Sequence, residues 1–151
     1  MSKLQAVLQG QIAPGVYRFP SRATPETLEA EAEEAGWRLF HLDGSTIHDK
    51  ANFLAAAKAA LEMPAYVGHN WDAFEEAVND LAWTPAAGYV LVYDHAGVLD
   101  DGDPAAFATA VDILNTAAQN WQGEGEPFYV LLRGAGRTGA ELNDWPDLAN
   151  T

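Results

Sequence analysis

Gly88-Tyr89-Val90-Leu91-Val92-Tyr93 is an unbroken run of aromatic and aliphatic residues behind a single glycine. A strand with one wet face alternates apolar and polar residues with a period of two. A run without that alternation predicts a strand covered on both faces, the usual condition of a parallel sheet. Working outward, Phe128-Tyr129-Val130-Leu131-Leu132 predicts a second strand. Trp37-Arg38-Leu39-Phe40-His41-Leu42, bounded by Gly36 and by Asp43-Gly44, predicts a third. Gly15-Val16-Tyr17-Arg18-Phe19, followed by Pro20, predicts an edge strand.

Helical patterns lie between these runs. Thr24-Pro25-Glu26 opens a helix with a capping hydroxyl, a proline at the first position and an acid in the first turn, and Gly36 closes it. Asp49 caps a helix that carries Phe53, Leu54, Ala57 and Leu61 on one face and stops at Pro64. Asn70 caps a helix expected over 71–82. Asp103-Pro104 starts another, in which Phe107, Val111, Leu114, Ala118 and Trp121 recur at helical spacing. Strands alternating with helices imply crossover connections. The expected fold is therefore α/β, a two- or three-layer arrangement of a small, mainly parallel sheet covered by helices. The loop from His95 to Pro104 and the tail after Gly134 are expected to be mobile.

Composition narrows the function. The 151 residues are 48% hydrophobic, enough for one well-packed core, and contain no cysteine, which excludes disulfides, thiolate ligands and cysteine nucleophiles. No stretch approaches a membrane span and no apolar leader follows Met1, so the expected location is cytoplasmic. Twenty-two acidic against eight basic residues give a formal charge of -14, which disfavours nucleic acid and anionic membranes as partners and favours a basic protein. The 74 residues between Lys58 and Arg133 hold twelve carboxylates and no lysine or arginine. Acidity alone is also what a solubility requirement produces.

The helix after Asn70 sharpens the matter. Trp71, Phe74, Val78 and Leu81 form its apolar face, while Asp72, Glu75, Glu76 and Asp80 follow the same rhythm on the other side. No basic residue stands three or four positions away to neutralise them, and like charges at that spacing repel by a few tenths of a kcal/mol, roughly. The helix dipole accounts for Asp72 and in part for Glu75, but poorly for Glu76 and Asp80.

The segment Leu61-Glu62-Met63-Pro64-Ala65-Tyr66-Val67-Gly68-His69-Asn70-Trp71-Asp72-Ala73-Phe74-Glu75-Glu76 resembles the loop and binding helix of the barstar family. The shared frame of that family is present as Pro64, Tyr66, Gly68, Asn70 and Asp72. The order of elements is similar as well, over roughly residues 37–133. The resemblance implies a barstar-like domain over 37–133, preceded by a strand-and-helix extension over 1–36 packed on the same domain and followed by a tail over 134–151. It also implies a cytoplasmic inhibitor that blocks the basic active site of a ribonuclease of the barnase type or a related toxin, in an immunity or antitoxin role. It implies no catalysis and no cofactor. Tyr66, Gly68, Asn70 and Asp72 match family contact positions, and Glu76 stands where the family has its central aspartate. Glu75 replaces a tryptophan, and the later contact glutamate aligns near Thr116, with Asp112 one turn earlier. His69, Glu75 and Asp80 complete the expected partner-binding set, and the free chain is expected to be a monomer.

Two other readings stay open beside this one. The first is an acidic adaptor or nucleic-acid mimic for a basic protein that is not a nuclease. The second is a small metal-dependent enzyme built from His41, His48, His69 and His95 with Asp43, Asp49, Asp94 and Asp100, although no two histidines stand one helical turn apart. Gly134-Ala135-Gly136-Arg137-Thr138-Gly139 spells a dinucleotide fingerprint, but too few residues follow for the helix and strand that give that motif its meaning. Trp37, Trp71 and Trp121 are expected in the core, and Trp83 and Trp145 at the surface, available to a partner.

Overall fold

The computed structural model describes residues 2–138 and 140–146. Its elements follow one another as α1 (Lys3–Leu8), β1 (Gly15–Arg18), α2 (Pro25–Glu34), β2 (Arg38–Asp43), a single 3-10 turn (Gly44–Thr46) and α3 (Lys50–Ala60). After these come α4 (Trp71–Val78), β3 (Tyr89–Asp94), α5 (Gly97–Gly102), α6 (Pro104–Gly123) and β4 (Phe128–Leu132). The four strands form one sheet in the order β1-β4-β3-β2, and every pairing is parallel.

That order explains why there are three layers. From β1 to β2 the chain crosses the whole sheet in one direction, and from β2 through β3 to β4 it steps back in the other. Right-handed crossovers of opposite direction place their helices on opposite faces. Accordingly, Leu28 and Ala32 of α2 pack with Leu4 and Val7 of α1 on one face, against Val90, Val92, Tyr129 and Leu131. On the other face α3, α4 and α6 supply Phe53, Phe74, Val78, Phe107, Leu114 and Trp121, against Leu91, Tyr93, Phe128 and Val130. Successive residues of β3 and β4 thus enter two different cores, which is why neither strand alternates in polarity.

The helix caps read from the sequence are made. Thr24, Asp49, Asn70 and Asp103 each accept a hydrogen bond from a backbone N–H of the first turn of the helix they precede. Gly36, with φ of 78°, turns the chain out of α2.

Four expectations need correction. The segment before Gly15 contains the helix α1, which shows too little periodicity in sequence to be read. The loop expected between His95 and Pro104 holds α5, whose Leu99 is fully buried. The described part of the expected mobile tail is docked, because Asn143 exchanges backbone hydrogen bonds with Val16 and Arg18 of β1, and Trp145 packs against Tyr17 and Phe19. The helix expected over 71–82 ends at Val78. Asn79 caps it, donating through its side chain to the Glu75 carbonyl, and Leu81 takes a left-handed φ of 49° while its side chain enters the core. Asp80 therefore follows the helix instead of riding on it.

Candidate functional site

α3 ends in a turn whose hydrogen bonds are those of a helix C-terminal motif. Glu62 N–H donates to the Ala59 carbonyl and Met63 N–H to the Lys58 carbonyl, with Glu62 in the left-handed region at φ of 53°. A left-handed non-glycine residue is unfavourable, and the ion pair between Glu62 and Arg38 of β2 helps to hold it there. Buried Met63 and Val67 then pin the connecting segment to the core, and Tyr66 between them is left 81% exposed. Among the described residues no other large hydrophobic side chain is exposed to this degree.

Asn70 closes the segment, its side chain accepting from Ala73 N–H at 2.8 Å. A Cβ at position 68 would lie only 3.1 Å from Asn70 Nδ2, so glycine there leaves room for the cap. From Asn70, α4 buries Phe74, Ala77 and Val78 and turns Asp72, Glu75 and Glu76 to solvent. Phe53 of α3 sets its position, with ring centroids 5.9 Å from Trp71 and 5.3 Å from Phe74. At the far end, Trp121 of α6 donates to the Val78 carbonyl and Asn120 to the Asn79 side chain. The carboxylates therefore sit on a short helix held at both ends.

A groove of about 250 Å³ runs between the segment and the helix, lined among others by Tyr66, Gly68, Glu76, Asp80 and Trp83. Tyr66, Gly68, Glu76 and Asp80 are thus brought together. Asp72, Glu75, His69 and Asn70 lie exposed beside them on the same loop and helix. The ion pairs among the described residues use Asp144, Glu62 and Asp94, leaving Asp72, Glu75, Glu76 and Asp80 without a cationic partner. Asp112 and Thr116 are exposed on α6 but line a different groove, with Glu141 and Asn143 of the tail. Trp83 is half-buried, its Nε1 donating to the Leu61 carbonyl at 3.0 Å, and Trp145 is half-buried against β1. Neither is the free anchor expected from sequence, because each packs against one of the two apolar cores.

The family model described as Barstar (barnase inhibitor) matches residues 37–133. The chain belongs to the barstar family. The matched segment runs from the residue before β2 to the residue after β4, so it takes in α3, the groove and the acidic face of α4. The barstar family is one of inhibitors and not of catalysts. No curated protein matches the chain in sequence. Outside the matched barstar segment lie α1, β1 and α2, of which β1 extends the sheet beyond β4.

The histidines are scattered. His48, His69 and His95 are exposed on separate loops, and no three His, Asp or Glu side chains among the described residues converge as metal ligands would. His41 is the exception in having a carboxylate partner, Asp94 Oδ2, at 2.7 Å. Asp94 also receives the Arg133 guanidinium at 2.5 and 2.9 Å, and Arg133 donates onward to the carbonyls of Ser21 and Ala23. Sequence reading named His41 and Asp94 among candidate site residues but missed Arg133 and this pairing, which gathers the C-terminal ends of β2, β3 and β4 and the segment leading into α2.

Burial pushes the Asp94 carboxyl up, but the hydrogen bonds and charges of Arg133 and then His41 outweigh it and hold the carboxyl below its ordinary value. The unfolded chain therefore binds the proton more readily. The stabilisation is fully present above the unfolded value near pH 4 and is lost as pH falls through the lower folded value. Asp94→Asn should lower stability at pH 7 by about 1–3 kcal/mol, since Arg133 keeps its two carbonyls but loses its counter-ion. It should also flatten the loss below about pH 4. Thermal unfolding of both proteins between pH 2 and 7 checks this, and parallel pH profiles would mean that another carboxylate governs the acid limb.

Proposed function

We propose that this chain is a protein inhibitor of a ribonuclease, covering the enzyme's basic active site with Tyr66, Gly68, His69, Asn70, Asp72, Glu75, Glu76 and Asp80. The observation that carries the reading is the acidic face of α4. Its carboxylates are exposed, lack cationic partners among the described residues, and stand beside an exposed tyrosine on a backbone held at both ends. A ribonuclease must hold phosphates with arginine, lysine and histidine, and a rigid row of carboxylates offers the same charge to the same groups. Membership of the barstar family supports the same partner class. Rigidity matters because fixed side chains lose little entropy on binding.

In this reading the protein acts in the cytoplasm as a monomer, as an immunity protein or antitoxin against a ribonuclease toxin, and does no chemistry itself. Glu75 adds a charge where the resemblance places a tryptophan, which favours a target with a more basic rim than barnase. Residues 1–36 belong to the same domain as an added strand and helices.

Titrating barnase and other guanyl-preferring ribonucleases with the chain, while following RNA cleavage, tests the proposal. Activity should fall to zero at one inhibitor per enzyme for at least one ribonuclease, with a midpoint that rises with salt. A chain that leaves them all active and instead binds a basic protein without nuclease activity is an adaptor.

A further inference from the structure

Tyr66 owes its direction to backbone that no helix or strand ladder supports. From Glu62 to His69 the only backbone-to-backbone bonds donated are the turn bonds of Glu62 and Met63 and one from Val67 N–H to the Pro64 carbonyl at 3.0 Å. The carbonyls on either side of Tyr66 are satisfied from elsewhere. Lys58, in the last turn of α3, reaches across so that its Nζ donates to the Val67 carbonyl at 2.6 Å and the Ala65 carbonyl at 3.1 Å. The backbone of the same residue accepts from Met63. One lysine thus holds the segment at its start through the main chain and at its exposed crest through the side chain.

We propose that Lys58 is a positioning residue of the binding surface, fixing the carbonyls of Ala65 and Val67, the residues that flank Tyr66, so that the tyrosine and Gly68 are already aimed when a partner arrives. The proposal rests on reading this face as the ribonuclease-binding face. Charge alone argues for the opposite effect. Lys58 carries a positive charge beside a face that attracts cations, so removing it strengthens the field felt by a basic partner. If Lys58 acted only through charge, its loss would tighten binding. If it acts by positioning, its loss loosens binding even though the face becomes more acidic, and the change falls on the dissociation rate.

Lys58→Met keeps the length of the side chain without its donors, and Lys58→Arg keeps both cation and donors. Each is compared with the wild-type chain for binding to purified barnase, for amide hydrogen exchange over residues 64–69 of the free chain, and for thermal midpoint. The methionine variant should dissociate from barnase roughly tenfold faster, with an association rate equal or higher, the size expected when a charge-assisted hydrogen bond is lost. Its amides over 64–69 should exchange faster while the midpoint changes little, and the arginine variant should recover most of the slow dissociation. Binding as tight as wild type with unchanged exchange overturns the proposal. A methionine variant that unfolds overturns it too, by assigning Lys58 to global stability. If the wild-type chain itself does not bind barnase, that result counts against barnase as target, and the exchange comparison alone decides the positioning role.

Discussion

Replacing Asp72 and Glu76 together by alanine is expected to weaken inhibition of the target ribonuclease by two orders of magnitude or more while leaving the fold intact. Both carboxylates are exposed on α4 and neither has a cationic partner among the described residues. Their removal breaks no ion pair among the described residues, so most of the effect falls on the complex. A hydrogen bond to a charged group contributes about 1.5–3 kcal/mol, so two of them amount to roughly 3–6 kcal/mol, or about 10²–10⁴ in affinity. Folding should barely respond, for two opposed reasons. Alanine at position 72 forgoes a helix-dipole interaction of about 0.3–1 kcal/mol, whereas thinning the row of acids relieves repulsions of a few tenths each. The measurement is an inhibition titration at two salt concentrations beside a thermal melt. The double variant should also lose much of the salt dependence, since the screened charges are the ones removed. A folded double variant that inhibits as well as wild type would move the interface off α4.

The largest effect on stability is expected at Phe53. Its side chain is fully buried, and its ring lies 5.9 Å from Trp71, 5.3 Å from Phe74 and 6.0 Å from Tyr93, so one residue of α3 joins α4 to the central strand β3. Phe53→Ala removes that ring and leaves a cavity which three other aromatic rings, held by their own backbones, cannot fill. The cost is about 3–5 kcal/mol, a large part of the 5–15 kcal/mol that a domain of this kind has in total. The thermal midpoint should fall by roughly 10 °C. Because Phe53 touches α4 and not the partner, inhibition by the fraction still folded should weaken less than in the carboxylate double variant. A loss under about 1 kcal/mol would show that α4 is held mainly from its other end, by Trp121 and Asn120.

Much of this was legible locally. Four strands, four of the helices and their caps follow from patterns that neighbouring residues set among themselves, and Thr24, Asp49, Asn70 and Asp103 each cap the helix that follows them. The acidic side of α4 followed from spacing too, since Asp72, Glu75 and Glu76 had to face away from Trp71, Phe74 and Val78. Where local rules failed, a contact distant in sequence had won. Helical rhythm continues through Leu81, but Asn79 and the bonds from α6 end the helix at Val78, and Asp80 reaches the groove from a turn. Gly134 and the residues after it read as a loose tail because nothing in them shows that Asn143 will pair with β1.

By itself, then, the sequence determined the alternation of strand and helix, the parallel sheet and the acidic row opposite an apolar face, because periodicity and capping act over a few residues. The tertiary structure decided that there are three layers, that Asp94 is shared by His41 and Arg133, and that Lys58 holds the carbonyls around Tyr66. Each of these joins a side chain to a strand end or a main-chain group that only packing brings within reach, and such groups leave no mark in the spacing of residues along the chain.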